Sequence, residues 1–137
     1  MSFSGIDSAL IKSYLDGNFG LTTKYPNDKF APPSPKTAWA EVVFLDVGNN
    51  PFTLGDNGLD EIFGIMQVNL LYPKDRGSRD VKLKADQFLT QYRTGKSFTH
   101  NGVTVDINGC RIGQGFDSRQ WWMVPVSIEY SAHIARG

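Results

Sequence analysis

The residues of this chain that could do chemistry are two histidines, one cysteine and a few short charged clusters. His100 and Cys110 flank a tight turn, and a thiolate beside an imidazole base would make a nucleophile. The simpler reading makes His100 a turn residue next to Asn101-Gly102 and Cys110 a small buried apolar side chain. No Cys/His spacing fits a zinc site. Asp56-Asn57-Gly58-Leu59-Asp60-Glu61 shares part of the pattern of a calcium loop but lacks its alternating ligands, so it reads as a hydrated hairpin tip. Gly109, Gly113 and Gly115 do not open a helix, which excludes a phosphate-cradling loop. Arg76, Arg79, Lys82 and Lys84 could contact phosphates or form one solvated helix face. These residues yield no catalytic set, no metal site and no cofactor site. They point to a binding or assembly module rather than an enzyme.

The whole chain sets the frame for these residues. Its 137 residues suit one domain, 1–137, with a core that needs no staple. Lys+Arg and Asp+Glu balance at 14 each, which argues against a dedicated nucleic-acid binder. Hydrophobic residues at 40% and charged residues at 20% exclude a wholly disordered chain. The single cysteine excludes an internal disulfide. No apolar run reaches the roughly 18–20 residues of a membrane span, and no basic-then-apolar leader is visible. The expectation is a protein made and used in the cytoplasm, or in a particle assembled there.

Periodicity then places the elements. Ile6, Leu10 and Tyr14 predict a helix over 4–16, stopped by Gly17-Asn18. Residues 19–36 hold Pro26, Pro32, Pro33 and Pro35 and read as an extended loop, either a functional arm or a long crossover. Residues 37–47 and 59–72 alternate as two long strands around a Gly/Asn/Asp turn at 48–58, which makes an antiparallel hairpin. Both faces are apolar near the middle, so the sheet is expected to be covered twice, by helices on one face and by a partner subunit on the other. Val81, Ala85, Phe88, Leu89 and Tyr92 form the stripe of a second helix from Ser78 or Asp80 to about Arg93, with Gly95 at its C′ position. Asn101-Gly102 predicts a tight hairpin between 97–100 and 103–107. A further strand is expected over 110–116, a turn over 117–120, and a last strand over 121–134. Pro125 inside that last strand marks it as an edge or a bulge. The sum is an α+β fold: a mixed, mainly antiparallel β-sheet packed against two helices, with a long β-hairpin.

Trp121 and Trp122 must point to opposite sides of their strand, and the one not in the core needs a helix or a partner. The order of parts carries a resemblance. A short N-terminal helix precedes a crossover with Tyr25-Pro26 and Pro32-Pro33. A strand opens with Thr37-Ala38-Trp39-Ala40-Glu41-Val42. Gly64-Ile65-Met66-Gln67-Val68 leads to Tyr72-Pro73, and a helix carries Ala85-Asp86 and Phe88. Trp121-Trp122-Met123-Val124-Pro125-Val126 closes the chain. In this layout, over nearly its whole length, the chain resembles the tail terminator (tail-completion) proteins of long-tailed bacteriophages, the family that includes the minor tail protein U of phage lambda.

The resemblance implies a structural virion protein without catalysis or cofactor. It implies a homo-oligomeric, hexameric ring on the head-proximal end of the tail tube. That ring would stop polymerisation of the major tail-tube protein and meet the head–tail connector or stopper protein, while DNA passes the lumen without specific binding. It is a heterologous interface, one patch meeting a different patch, that closes a ring. The expected contacts are the hairpin tip (Asn49, Asn50, Phe52, Asp56, Asn57), the proline-rich loop (Tyr25, Pro32, Pro33) and the last strand (Trp121, Trp122). The rival readings are another connector or stopper ring of the neck, a small hydrolase using Cys110 and His100, and a monomeric ligand-binding domain.

Overall fold

Helix α1 (Phe3–Asp16) forms where Ile6, Ala9, Leu10 and Tyr14 recur on one face, and all four are buried. It stops where Asn18 adopts a left-handed φ of 52° and the amides of Gly17 and Asn18 bond back to Ser13 and Leu15. A computed structural model describes residues 3–26, 29–31, 37–51, 58–74 and 79–135. The remaining elements are β1 (Thr22–Lys24), β2 (Trp39–Pro51), β3 (Leu59–Pro73), α2 (Arg79–Gln91), β4 (Ser97–His100), β5 (Val103–Ile112), β6 (Phe116–Ser118) and β7 (Trp121–Ala135).

The strands make one seven-stranded sheet in the order β1-β2-β3-β7-β5-β4, with β6 also paired to β7. Every pairing is antiparallel except β1 with β2. The fold is α+β as expected, and the β2–β3 hairpin is its longest feature. Several boundaries differ from the sequence reading. The loop over 19–36 contains β1, a three-residue edge strand too short to show a period. Strand β2 runs on to Pro51, because a bulge between Leu45 and Gly48 absorbs the glycine that reads as a turn. The strand expected at 110–116 is two pieces. Residues 110–112 belong to β5, carried past Asn108 by a bulge between Ile107 and Gly109, and β6 starts at Phe116. Gly95 is left-handed (φ 91°), but its amide bonds to Ile107 in β5 rather than to the end of α2. Asn101 (φ 51°) and Gly102 (φ 80°) make the predicted hairpin turn.

Pro125 does not mark an edge. Strand β7 is central, flanked by β3 on one side and by β5 and β6 on the other. The carbonyl of Pro125 accepts a 2.7 Å bond from the amide of Gly113, so its missing N–H points to that same side. There the β5 ladder has ended at Ile112↔Val126 and the β6 ladder has not yet begun at Phe116↔Met123. Gly113 and Pro125 therefore share a single bond where an ordinary facing pair would exchange two, at the point where β5 gives way to β6.

Both helices pack on one face. The core there runs through Val42, Met66, Val68, Leu70, Val126, Ile128 and Tyr130 of the sheet to Leu10, Val81, Phe88 and Tyr92. Phe88 stacks on Phe19 with ring centroids 3.9 Å apart and planes within 2°. Leu89, assigned to the apolar stripe, is exposed, since α2 buries only Val81, Ala85 and Phe88. On the opposite face a smaller cluster of Trp39, Leu71 and Trp121, with Phe30 and Met123 against it, covers one end. Helices thus cover one face of the sheet, as the sequence reading expects.

Burial also sets an alkaline limit. The Tyr14 and Tyr130 phenols are desolvated and pushed up to about 12 from an ordinary 10.0, and Tyr92 goes higher still. The folded chain then holds these protons while the unfolded chain releases them. Stability is flat below pH 10 in this respect and falls as the pH rises from 10 towards 12. Urea midpoints taken on either side of pH 10 will show the decline, and the double variant Tyr14→Phe/Tyr130→Phe will make it shallower, with Tyr92 supplying the rest.

Candidate functional site

The helix-free face of the sheet is the surface most open to partners. Register places its side chains in rows across β2, β3 and β7. The first row, Trp39–Leu71–Met123, belongs to the tryptophan cluster, where Trp39 and Trp121 meet edge to face at 5.9 Å and Phe30 stacks on Trp39 at 4.9 Å. The indole nitrogen of Trp39 is buried there without a hydrogen-bond partner. The next rows are polar. Lys24 Nζ donates to Glu41 (3.3 Å), Asn69 Nδ2 donates to the other Glu41 oxygen (3.1 Å), and Gln67 Nε2 donates to Asn69 Oδ1 (2.8 Å). This chain ties β1 to β2 and β3 and satisfies Asn69, which is 4% exposed. Beyond it Leu45 and Phe63 are exposed, and the Phe63 ring lies over Gly48, where an added Cβ would come within 2.1 Å of it. An ion pair, Arg111–Glu129 at 2.8 Å, and a polar contact, His133–Glu61 at 3.4 Å, border this patch. Exposed apolar side chains rimmed by polar ones are the make-up of a protein-contact surface.

A second feature lies on the helix side. A cleft of about 400 Å³ opens between the first turns of α2 and the 113–115 connection, lined by Val81, Lys82, Ile112, Trp122 and Val124 among others. It exists because β5 and β6 part at Pro125. The connection then folds flat on Trp122, and an added Cβ on Gly115 would come within 2.5 Å of the indole.

The residues singled out from sequence fall as follows. Tyr25 packs against the main core and meets Tyr14 edge to face at 6.2 Å. Trp121 is 8% exposed within its own chain, while Trp122 is half-buried and walls the cleft. Asn49 and Asn50 have their backbones in β2 opposite Ile62 and Glu61. Pro32, Pro33, Phe52, Asp56, Asn57 and Arg76 lie outside the described residues. His100 and Cys110 are not brought together. His100 pairs with Val103 at the start of β5, and Cys110 lies seven residues further along that strand, roughly 20 Å away. Desolvation pushes the Cys110 thiol up to about 11, which disfavours the reactive thiolate. No group of three or more His, Cys, Asp or Glu that could hold a metal occurs among the described residues. None of the described helices is long and apolar enough to cross a membrane.

Neither the cleft nor the tryptophan cluster is visible in the sequence reading. Alternation assigns Trp39 and Trp121 to a face of each strand, but only the register shows that both fall on the same one, at the same end.

Comparison with known proteins agrees with this architecture. No curated protein matches the chain. Nine chains of solved structures match it. One has a TM-score of 0.73 at 22% identity, covering 98% of this chain and 97% of the other, a likeness of fold. A family model described as phage tail terminator protein matches residues 6–130, from the first buried residue of α1 to the core tyrosine of β7. The chain therefore belongs to the phage tail terminator family and is a structural component of a bacteriophage tail, one that interacts with other tail components.

Proposed function

We propose that the protein caps the head-proximal end of the tail tube as a hexameric ring, stops polymerisation of the major tail-tube protein and presents a surface to the head–tail connector or stopper. The family match over residues 6–130 carries this reading. The exposed Leu45 and Phe63 on a helix-free sheet face supply contact area for it. The work is architectural rather than catalytic, DNA passes through the lumen without specific contacts, and the ring is put in place at the neck of a tail assembled in the host cytoplasm.

The test is negative-stain electron microscopy of polymerising tube subunit with and without this protein. End density on one end of each tube, with tubes shortened or arrested, is the expected result. Tubes of unchanged length with bare ends would overturn it. Cys110→Ser will cap as the parent does, since the thiol only approaches the Phe88 carbonyl at 3.9 Å. Loss of capping in that variant, with the fold intact, would return cysteine chemistry to consideration.

A further inference from the structure

The neutral total charge hides a separation along the chain. Residues 37–73, which contain β2 and β3, hold five Asp/Glu and no Lys or Arg. Residues 74–96, which contain α2, hold seven Lys/Arg against three Asp/Glu. The hairpin and the helix segment thus carry opposite net charges. The cleft described above sits at the basic segment, with Lys82 in its lining and Arg79 one turn earlier on the same side of α2. Val81, Ile112, Trp122 and Val124 supply apolar walls, and Gln114 is a further polar side chain of the lining. A matching occupant combines large apolar side chains with carboxylates. The connection between β2 and β3 and the start of β3 have that composition, with Phe52, Leu54 and Asp56 followed by Asp60 and Glu61.

We propose that the cleft between α2 and the 113–115 connection receives the β2–β3 hairpin end of a second copy of this chain. The contact is head-to-tail, a basic cleft on one copy with an acidic hairpin on the next, so an open chain of copies keeps one unused surface of each kind until a ring closes. Apolar anchors in a walled cleft supply the lasting contact, and the charges set its direction and its rate. The proposal rests on the ring reading above and adds to it the two surfaces that meet.

The test uses disulfide trapping in full-length protein carrying Cys110→Ser. Gln114→Cys is placed at the cleft on one copy and Asn57→Cys at the hairpin on another. They are mixed and oxidised, both free at high concentration and with tube subunit present. Linked pairs are expected in the mixture and not in either variant alone, and a chain carrying both substitutions will give a ladder of linked copies. Lys82→Glu will cut the yield about tenfold, and Asp56→Lys on the hairpin copy will restore it. Raising the salt to about 1 M, where the screening length is about 3 Å, will also lower it.

Absence of the link in both settings overturns the proposal, as does a link to the tube subunit in place of a second copy. A yield no greater than that of a control pair with Lys12→Cys on α1 does the same. Capped tubes without the link reject this contact and leave the capping role standing. Linked copies without capping keep the contact and reject that role.

Discussion

Phe88→Ala will destabilise the protein by about 4 kcal/mol, in the range of about 3–5 kcal/mol for an aromatic ring removed from a closed core. Phe88 has no solvent exposure. Its ring lies flat on Phe19 at 3.9 Å and within 6.1 and 6.3 Å of Tyr14 and Tyr92. The ring therefore joins α2 to α1 and to the turn that follows α1, and no neighbour is free to fill its place. The helix ties of Lys84 to the Phe19 carbonyl (2.5 Å) and of Gln91 to the Ser13 carbonyl (2.9 Å) depend on the same alignment. Urea unfolding will show a lower midpoint at unchanged slope. Phe88→Leu will cost much less, because most of the volume is kept. A loss below about 1 kcal/mol for the alanine variant would mean that this stack does not hold the helices.

Trp121→Ala will cost about 3 kcal/mol in the isolated protein, before any partner is added. Its indole is 8% exposed, buried against Trp39, and the cluster is completed by Leu71, Phe30 and Met123. Trp39→Phe will cost less than the lost area suggests, since it also removes the buried, unbonded indole N–H. The contrasting substitutions are Leu45→Ser and Phe63→Ser, at side chains 40% and 39% exposed. They will leave the unfolding midpoint nearly unchanged and weaken capping of tubes. If Trp121→Ala were neutral for stability and only capping suffered, the tryptophan pair would be a contact surface and not a second core.

How much of this was legible depends on how local the cause is. The α2 stripe at Val81, Ala85 and Phe88 is a pattern of neighbours three and four apart, and the turn at Asn101-Gly102 is written in two residues. Both could be read directly. The alternation of β3 and β7 assigns Met66 or Ile128 to the core without knowing what strand lies beside it. Pro125 shows the limit. A proline in a strand suggests an edge, and only the pairing of two distant segments reveals that its missing donor falls at the break between β5 and β6. The same break makes the cleft, so the cleft was equally hidden. The glycines at 48 and 109 read as breaks, yet both sit at bulges that let a strand continue. The tail terminator assignment came from the order of the parts over the whole length, the property a family model also weighs. The contact residues at 25, 32, 33 and 49–57 came from the composition of their segments and those at 121 and 122 from strand alternation; residues 32–36 and 52–57 lie outside the described residues.

One consequence of the sheet order concerns protection against fibre growth. Strand β1 pairs only with residues 39–41 of β2, and among the described residues no strand lies on the edge of β2 away from β3 between Val42 and Pro51. An unguarded stretch of that length would template the addition of further strands, as amyloid does. Here the bulge at Leu45–Gly48 breaks the row of donors and acceptors into two stretches of four residues, 42–45 and 48–51. The charge of Asp46 falls at the break, and Pro51 closes the far end with a position that cannot donate. A flat, generic strand finds no continuous ladder there. The sheet is thereby kept from polymerising along its own backbone.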